Sequence, residues 1–444
     1  MITVVGMDGS PLSRRAEAAL AAATLVAGAR RHLTVAPPHA RAMVLGELAP
    51  ALDAVATHEG DAVVLASGDP GFFGIVRALR ERGLKFTVLP AVSSVAMAFA
   101  RAGLTWDDAA VVSVHGRDPR PALNVCRAHP KVAVLTGPGC GPAEIRAALT
   151  GWDRRLIVAE HLGADAERIT ECSPADAAAR TWADPNVVLV LGSAEEIPVP
   201  HASHPSWLWN WSCSVNTKPT SMGPTDAGSA DAGRFQGYPG AVGWALPEEV
   251  FDSRDAVITK AEVRALALAR LAPGPGLLVW DVGAGSGSVA VECARFGAAV
   301  IAVERDALRC ERVRVNASRH GADVRIVPGE APEALAGLPN PDAVFVGGGG
   351  TAVIEAAAAR RPARIVVALA AVERAGRAHA ALTAAGYAAD GVLVQAARLA
   401  PLPGDVHRLA ATNPVFLLWA TPVTTEPAGP GDAGSHGAGP GGPP

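Results

Sequence analysis

Residues 277–288, LLVWDVGAGSGS, restrict what this chain can fold into more than any other stretch. LLVWDV is short, apolar and lacks the polar alternation of a half-exposed strand, so it reads as a strand buried on both faces. It runs straight into glycines at 283, 285 and 287. Without a Cβ these positions bend tightly and bring backbone N–H groups against a ligand. The segment after them reads as a helix whose first N–H groups and positive dipole end face the same place. A strand, a glycine turn and a helix in that order make a nucleotide or nucleoside pocket at the carboxyl end of a parallel sheet.

Spacing narrows the ligand. The dinucleotide fingerprint G-x-G-x-x-G would put its third glycine at 288, where the chain has Ser288. Asp281, just ahead of the glycines, suits a donor that carries an ammonium group, as the methionine part of S-adenosylmethionine does. The next strand, Val300 to Glu304, ends in a carboxylate about 20 residues past the glycines, where a ribose-binding acid belongs. A solvent-facing strand end is the plain account of Glu304 taken alone; beside the glycine loop, ribose contact is preferred. These residues leave a methyltransferase and a dinucleotide-dependent oxidoreductase both open, the methyltransferase favoured.

The surrounding pattern is α/β. Thr259 to Leu271 reads as a helix with Thr259 as N-cap and Glu262 completing a capping box. Strands follow at Val324–Val327, Asp342–Val346, Arg364–Ala368, Val392–Arg398 and Val415–Ala420, seven in all, the last two paired as a hairpin. Gly329-Glu330-Ala331 and Gly347–Gly350 close two of them. Earlier in the chain, strands at Thr3–Val5, Ala62–Ala66 and Phe86–Leu89 empty into the loops Gly6-Met7-Asp8-Gly9, Ser67-Gly68-Asp69-Pro70 and Pro90-Ala91-Val92-Ser93-Ser94. Helices are expected at Arg14–Ala29, Ile75–Glu81 and Val95–Ala102, the last capped by Ser93 or Ser94. Four more strands, Ala110–Val114, Lys131–Thr136, Arg155–Glu160 and Val187–Gly192, complete this part. Alternating strand and helix predicts a parallel sheet with its ligand loops at the strand ends.

At 444 residues the chain exceeds one ordinary core. The pattern divides it into 1–200, a Pro/Ser/Gly-rich linker at 201–243, a second unit at 244–420 and a disordered Gly/Pro-rich tail at 421–444. Trp207, Trp209 and Trp211 alternate in the linker and read as a docking patch. A net charge of -4 gives no footprint for nucleic acid, which disfavours RNA as a substrate. No apolar run reaches a membrane span, and the N-terminus lacks the order of a signal peptide, so a cytoplasmic location is expected. The six cysteines and twelve histidines show no metal-ligand spacing, and no metal site is expected.

Both units resemble known families. Gly6-Met7-Asp8-Gly9, Ser67-Gly68-Asp69-Pro70 and Pro90-Ala91-Val92-Ser93-Ser94 resemble the tetrapyrrole methylases, and LASGDPGFFGIVRAL with EHLGADAERIT is similar to their precorrin carbon-5 branch. FDSRDAVITKAEV, DVGAGSGSVAVE, GEAPEAL and PDAVFVGGG resemble the carbon-15 methyltransferases and decarboxylases of the same pathway. Fused in this order they resemble the bifunctional precorrin-6Y 5,15-C-methyltransferases (decarboxylating) of cobalamin synthesis. Glu330 stands where an aspartate is common, His161 where asparagine is, and Ala368 where the carbon-15 branch carries asparagine.

The resemblance implies an N-terminal tetrapyrrole-methylase fold of two α/β subdomains and a C-terminal Rossmann-like class I methyltransferase fold with a seven-stranded sheet. It implies two S-adenosylmethionine sites. One would use Gly6, Gly9, Gly68, Asp69, Pro70, Ser93 and Ser94. The other would use Thr259, Asp281, Gly283, Gly285, Gly287, Ser288, Glu304, Gly329, Glu330 and Ala331. The implied substrate is a precorrin, methylated at carbons 5 and 15 with loss of the ring C acetate carboxyl to give precorrin-8X. Self-association is left open, as is a chain in which only one unit is active. Methyl transfer from a sulfonium needs no acid for its leaving group, and positioning supplies much of the rate. No catalytic residue is therefore named.

Overall fold

The computed structural model of the protein describes residues 1–172, 174–192, 243–253 and 258–423. The linker and its three tryptophans lie outside these residues except for Gly243, as do residues 254–257 of the FDSRDAVITKAEV segment and everything beyond 423.

Strands β1 (Ile2–Met7), β2 (Leu25–Gly28), β3 (Arg41–Val44), β4 (Ala62–Ser67) and β5 (Phe86–Leu89) form a wholly parallel sheet in the order β3-β2-β4-β1-β5. Gly6 pairs with Ala66 and Met7 with Ser67, so the ends of β1 and β4 are level and their loops meet. The helix expected over Arg14–Ala29 stops at Ala22. Leu25–Gly28 is instead a strand between β3 and β4 with all four residues buried, because that slot needs an apolar strand more than an alanine-rich helix needs its last turns. Strand β3 likewise carries little sequence signal, because its residues are mostly exposed and it lies at the sheet edge.

A second sheet contains β6 (Ala110–Ser113), β7 (Lys131–Leu135), β8 (Arg154–Glu160), β9 (Arg168–Cys172) and β10 (Asn186–Gly192) in the order β6-β7-β10-β8-β9. It is mixed rather than parallel, since β10 runs antiparallel to both β7 and β8. The edge strand β9 carries no apolar run and escaped the sequence pattern.

The third sheet has the expected seven strands: β11 (Leu278–Val282), β12 (Ala299–Glu304), β13 (Arg325–Pro328), β14 (Ala343–Val346), β15 (Arg364–Leu369), β16 (Tyr387–Val394) and β19 (Val415–Pro422). Their order is β13-β12-β11-β14-β15-β19-β16, with β19 antiparallel to β15 and β16. All of β11 is buried, and Trp280 is fully enclosed. Burying each such large side chain stabilises the fold by roughly 1.5–3 kcal/mol. The strand expected at Val392–Arg398 is split. Its first part ends β16, and its last begins a separate hairpin of β17 (Ala397–Leu402) and β18 (Val406–Ala411), so β16 and β19 pair without being consecutive. Ordered strand also continues through Pro422, past the start of the expected tail.

The helix over Thr259–Leu271 begins at Ala261, and Lys260 is its N-cap without a side-chain capping bond. The expected capping box is absent because better partners are available. Glu248 accepts the Ala261 N–H at 2.7 Å, and Glu262 is held by Arg398 at 2.7 Å.

The two sets of sheets dock through amino ends. Arg120, on the helix Arg120–Ala128, donates to Asp342 at 2.7 Å, and Asn124 donates to Asp342 and to the Gly276 carbonyl. Arg154, the first residue of β8, pairs with Asp323. Trp152 is held between the guanidiniums of Arg127 and Arg325, at 4.9 and 4.8 Å, and packs into the core that contains Trp280 and Leu338. Gly276, Asp323 and Asp342 each lie just ahead of a strand of the third sheet, so the contact covers that sheet's amino edge.

Candidate functional site

The carboxyl edge of the third sheet is left open and holds a cavity of about 490 Å³. That lies within the roughly 300–1,000 Å³ of small-molecule sites. Val282, Gly283 and Gly285 line it from the end of β11, Glu304 from β12, and Gly329, Glu330 and Ala331 from the loop after β13. Gly347–Gly350 follow β14, and Leu369 ends β15. Gly283 has φ +74°, and a Cβ there would come within 3.0 Å of the Gly348 backbone nitrogen. A side chain at 283 would push the two glycine loops apart and fill the space between them.

Glu304 is 4% exposed yet reaches the cavity, and its carboxylate accepts the Gly285 N–H at 2.9 Å and the Asp306 N–H at 3.1 Å. Glycine loop and strand-end acid are thus tied together, as their spacing predicts. Glu330 lines the cavity and pairs with Arg305 at 2.8 Å. Both carboxylates face the end where β12 and β13 lie.

Four expected residues stand elsewhere. Asp281 is 1% exposed and does not line the cavity; one oxygen accepts the Ala290 N–H at 2.9 Å inside the following helix, Ser288–Arg295. Its other oxygen is buried without a partner. Burial pushes the carboxyl up to about 7, against the lowering effect of the Ala290 bond and with a further upward push from Glu304. The strand pleat turns this side chain under the glycine loop rather than above it. Gly287 is the N-cap of that helix and Ser288 its buried first residue, so both shape the loop from beneath. Thr259 is not among the lining residues; its carbonyl accepts from Arg264 at 2.6 Å.

Sequence reasoning did not single out the lining contributed by Arg305, Arg309, Arg374 and Arg377, or by Val353 and Ile354 of the helix Thr351–Ala359. Arginines are common along the chain, and only the fold selects these four.

In the first sheet the expected residues converge at the ends of β1, β4 and β5. A Cβ on Gly6 would meet the Gly68 carbonyl oxygen at 2.5 Å and the Ala91 nitrogen at 2.6 Å, and one on Gly68 would meet Ser94 N at 3.1 Å. Ser93 caps the helix Ser94–Ala102 by accepting the Ala96 N–H. Asp69 folds back on the Gly71 N–H at 2.8 Å, as a turn-forming Asp-Pro does, with Pro70 buried beside it. Gly9 sits at φ +86° with no room for a Cβ against Gly163, which brings in the loop after β8.

Asp8, in the Gly6–Gly9 loop, ties these loops together. It accepts from the Ser10 N–H and hydroxyl with one oxygen and from the Val92 N–H, at 3.1 Å, with the other. Burial works against its charge, but these hydrogen bonds outweigh burial and hold the carboxyl below its ordinary value.

Among the described residues no helix is long and apolar enough to cross a membrane. Residues 2–178 match the family model described as tetrapyrrole (corrin/porphyrin) methylases, and residues 249–421 match that of a precorrin methyltransferase domain. A Sinorhizobium protein named precorrin-6Y C(5,15)-methyltransferase [decarboxylating] is 36% identical over 381 residues, covering 80% of this chain and 81% of its own. A Pyrobaculum calidifontis protein, named a probable cobalt-precorrin-6B C(15)-methyltransferase (decarboxylating), is 38% identical over 39% of this chain and 94% of its own. The cobalt-precorrin-7 C(5)-methyltransferase of Salmonella typhimurium is 34% identical over 38% of this chain and 89% of its own. With α/β sheets, a glycine-lined cavity and relatives of both kinds joined in one sequence, the chain is a methyltransferase and belongs to the precorrin-6Y C(5,15)-methyltransferase (decarboxylating) family.

Proposed function

We propose that this chain methylates a precorrin at carbons 5 and 15 and removes the ring C acetate carboxyl, using two S-adenosylmethionine sites. Residues 1–200 hold the carbon-5 site and residues 244–420 the carbon-15 and decarboxylating site. The observation that carries the reading is the cavity at the ends of β11 and β12, where Glu304 is fixed by the Gly285 N–H.

The residues present fit the donor. Glu304 offers a carboxylate edge to a ribose diol, and the glycine loop leaves room for a nucleoside where any Cβ would intrude. Asp281 supports the loop from beneath through the Ala290 N–H. Gly6, Gly68 and Asp8 gather three loops at the first site in the same way. S-adenosylmethionine, when bound, supplies an electrophilic methyl group. The chain's own part is to orient the acceptor carbon in line with that methyl and to exclude water. Apolar Leu369, Val353 and Ile354 provide the dry wall at the second site.

Mass spectrometry of the full chain with a precorrin acceptor and donor tests the reading. The expected product carries two added methyl groups and lacks one carboxyl. Calorimetry with S-adenosylhomocysteine should give two sites per chain. A single site, or a product with one methyl, would overturn the two-site reading.

A further inference from the structure

The cavity of the third sheet has two differently charged ends. At the β12 end, Glu304 and Glu330 face it together with Arg305, which pairs with Glu330, and Arg309, so the charges there balance. At the β15 end, the helix Val372–Ala384 presents Arg374, Arg377 and Ala378. Arg374 and Arg377 are three residues apart on a helix and therefore share a face, with Cβ atoms about 5–6 Å apart. Neither guanidinium has a hydrogen bond, ion pair or ring contact with any described residue. Strands β11 and β14 separate β12 from β15, so the two ends of the cavity stand about 14 Å apart at ordinary strand spacing.

A nucleoside held by Glu304 leaves the β15 end for the acceptor. We infer that Arg374 and Arg377 are positioning residues that bind peripheral carboxylates of the tetrapyrrole, which rests on the second-site reading above. The chemistry matches, because guanidinium forks bind carboxylates bidentately and keep their charge at any working pH. Two such forks on one helix face select an acceptor that carries at least two acidic side chains on one edge. They also decide which carboxylate leaves. Decarboxylation breaks the bond between the acetate methylene and its carboxyl carbon, and as carbon dioxide departs the electron pair passes into the conjugated macrocycle, cancelling the positive charge that methyl transfer to carbon 15 leaves there. Pairing with arginine stabilises the carboxylate before that bond breaks and so slows its loss. The anchored carboxylates are therefore the ones retained, and the leaving one is turned toward the apolar wall of Leu369 and Ile354.

The test compares full-length wild type with R374A/R377A and R374K/R377K, measuring acceptor KM, kcat, the ratio of carbon dioxide released to carbon-15 methylation, and S-adenosylhomocysteine affinity. The alanine pair should raise acceptor KM roughly tenfold or more. It should also flatten the rise of KM with salt and leave S-adenosylhomocysteine affinity unchanged. The lysine pair should recover most of the loss. Unchanged acceptor KM and salt dependence with intact inhibitor binding would overturn the assignment, leaving both arginines as solvated surface. A fall in inhibitor affinity equal to the rise in KM would also overturn it, by placing the pair at the donor. E304A provides the separate control. If it leaves inhibitor binding at both sites untouched, the donor reading of this cavity fails, and the arginine assignment fails with it.

Discussion

Arg120 and Asp342, 222 residues apart in sequence, meet at 2.7 Å across the contact between the second and third sheets. Asp342 also accepts the Leu278 N–H at 2.8 Å, so one carboxylate fastens the first part of the chain to the start of β11. From this contact β11 leads to Gly283, and β8, which begins at Arg154, leads to the His161–Gly163 loop beside Gly9. Each strand carries its site about 15–20 Å from the contact. With two donor sites as proposed, the cavity of the third sheet is lined only by residues between 282 and 378, with none from the first two sheets. The singly methylated intermediate should leave the chain between steps. Unlabelled intermediate added during turnover of labelled precorrin should dilute the label in the doubly methylated product in proportion to its concentration. Product label that resists dilution would show direct transfer.

Much of this was legible in the sequence because the glycine loops and buried strands are local. Gly283, Gly285 and Glu304 meet at one cavity as their spacing predicts, and Gly329–Ala331, which the resemblance implied, line it with them. The failures share a cause in tertiary competition. Leu25–Gly28 follows an alanine-rich helix without a breaker, yet it is taken by the sheet. Thr259 carries a capping signature, yet Glu248 and Arg398 take over its partners. Asp281 precedes the glycines in the expected register, but strand alternation aims it beneath the loop, a direction that spacing alone does not give. The docking of Trp152 between Arg127 and Arg325 involves residues with no pattern in sequence.

Asp281 should make stability depend on pH. Burial raises its folded carboxyl to about 7, above the unfolded value of 3.8. The folded state therefore holds this proton more tightly than the unfolded state. Between about pH 4 and 7 the unfolded chain ionises while the folded one resists, so Asp281 lowers stability as pH rises through that window. The contribution is level above it. The slope is at most about 1.4 kcal/mol per pH unit. Urea unfolding of wild type minus that of D281N, from pH 4.5 to 8, should isolate it. A difference that does not change with pH would refute the assignment.

Arg264 and Glu292 form a fully buried ion pair at 2.5 Å. Glu292 also accepts the Ala245 and Leu246 N–H groups, and Arg264 donates to the Thr259 and Leu246 carbonyls. The pair fastens the segment that enters the third sheet's domain. E292A leaves a buried guanidinium uncompensated and should cost roughly 3–5 kcal/mol. Replacing both residues together, as R264M/E292L, should cost less than E292A alone. Denaturant midpoints of the three chains decide it, and a double variant that is the least stable of them would contradict the argument.

Glu304 joins the glycine loop to the strand end, and its substitution should separate donor binding from folding. Its carboxylate is held by the N–H groups of Gly285 and Asp306. E304Q keeps an oxygen for one of these bonds but loses the charge that favours a diol. A hydrogen bond to a charged group contributes about 1.5–3 kcal/mol, so E304Q should weaken S-adenosylhomocysteine at the second site roughly 10- to 100-fold. The first site, on a separate sheet, should bind as before. Calorimetry of the full chain would then show one of two binding events weakened. Carbon-15 methylation and carbon dioxide release should fall together at fixed donor concentration, while carbon-5 methylation of the supplied intermediate is preserved. Parallel loss of both methylations would mean that Glu304 serves the whole fold rather than one donor pocket.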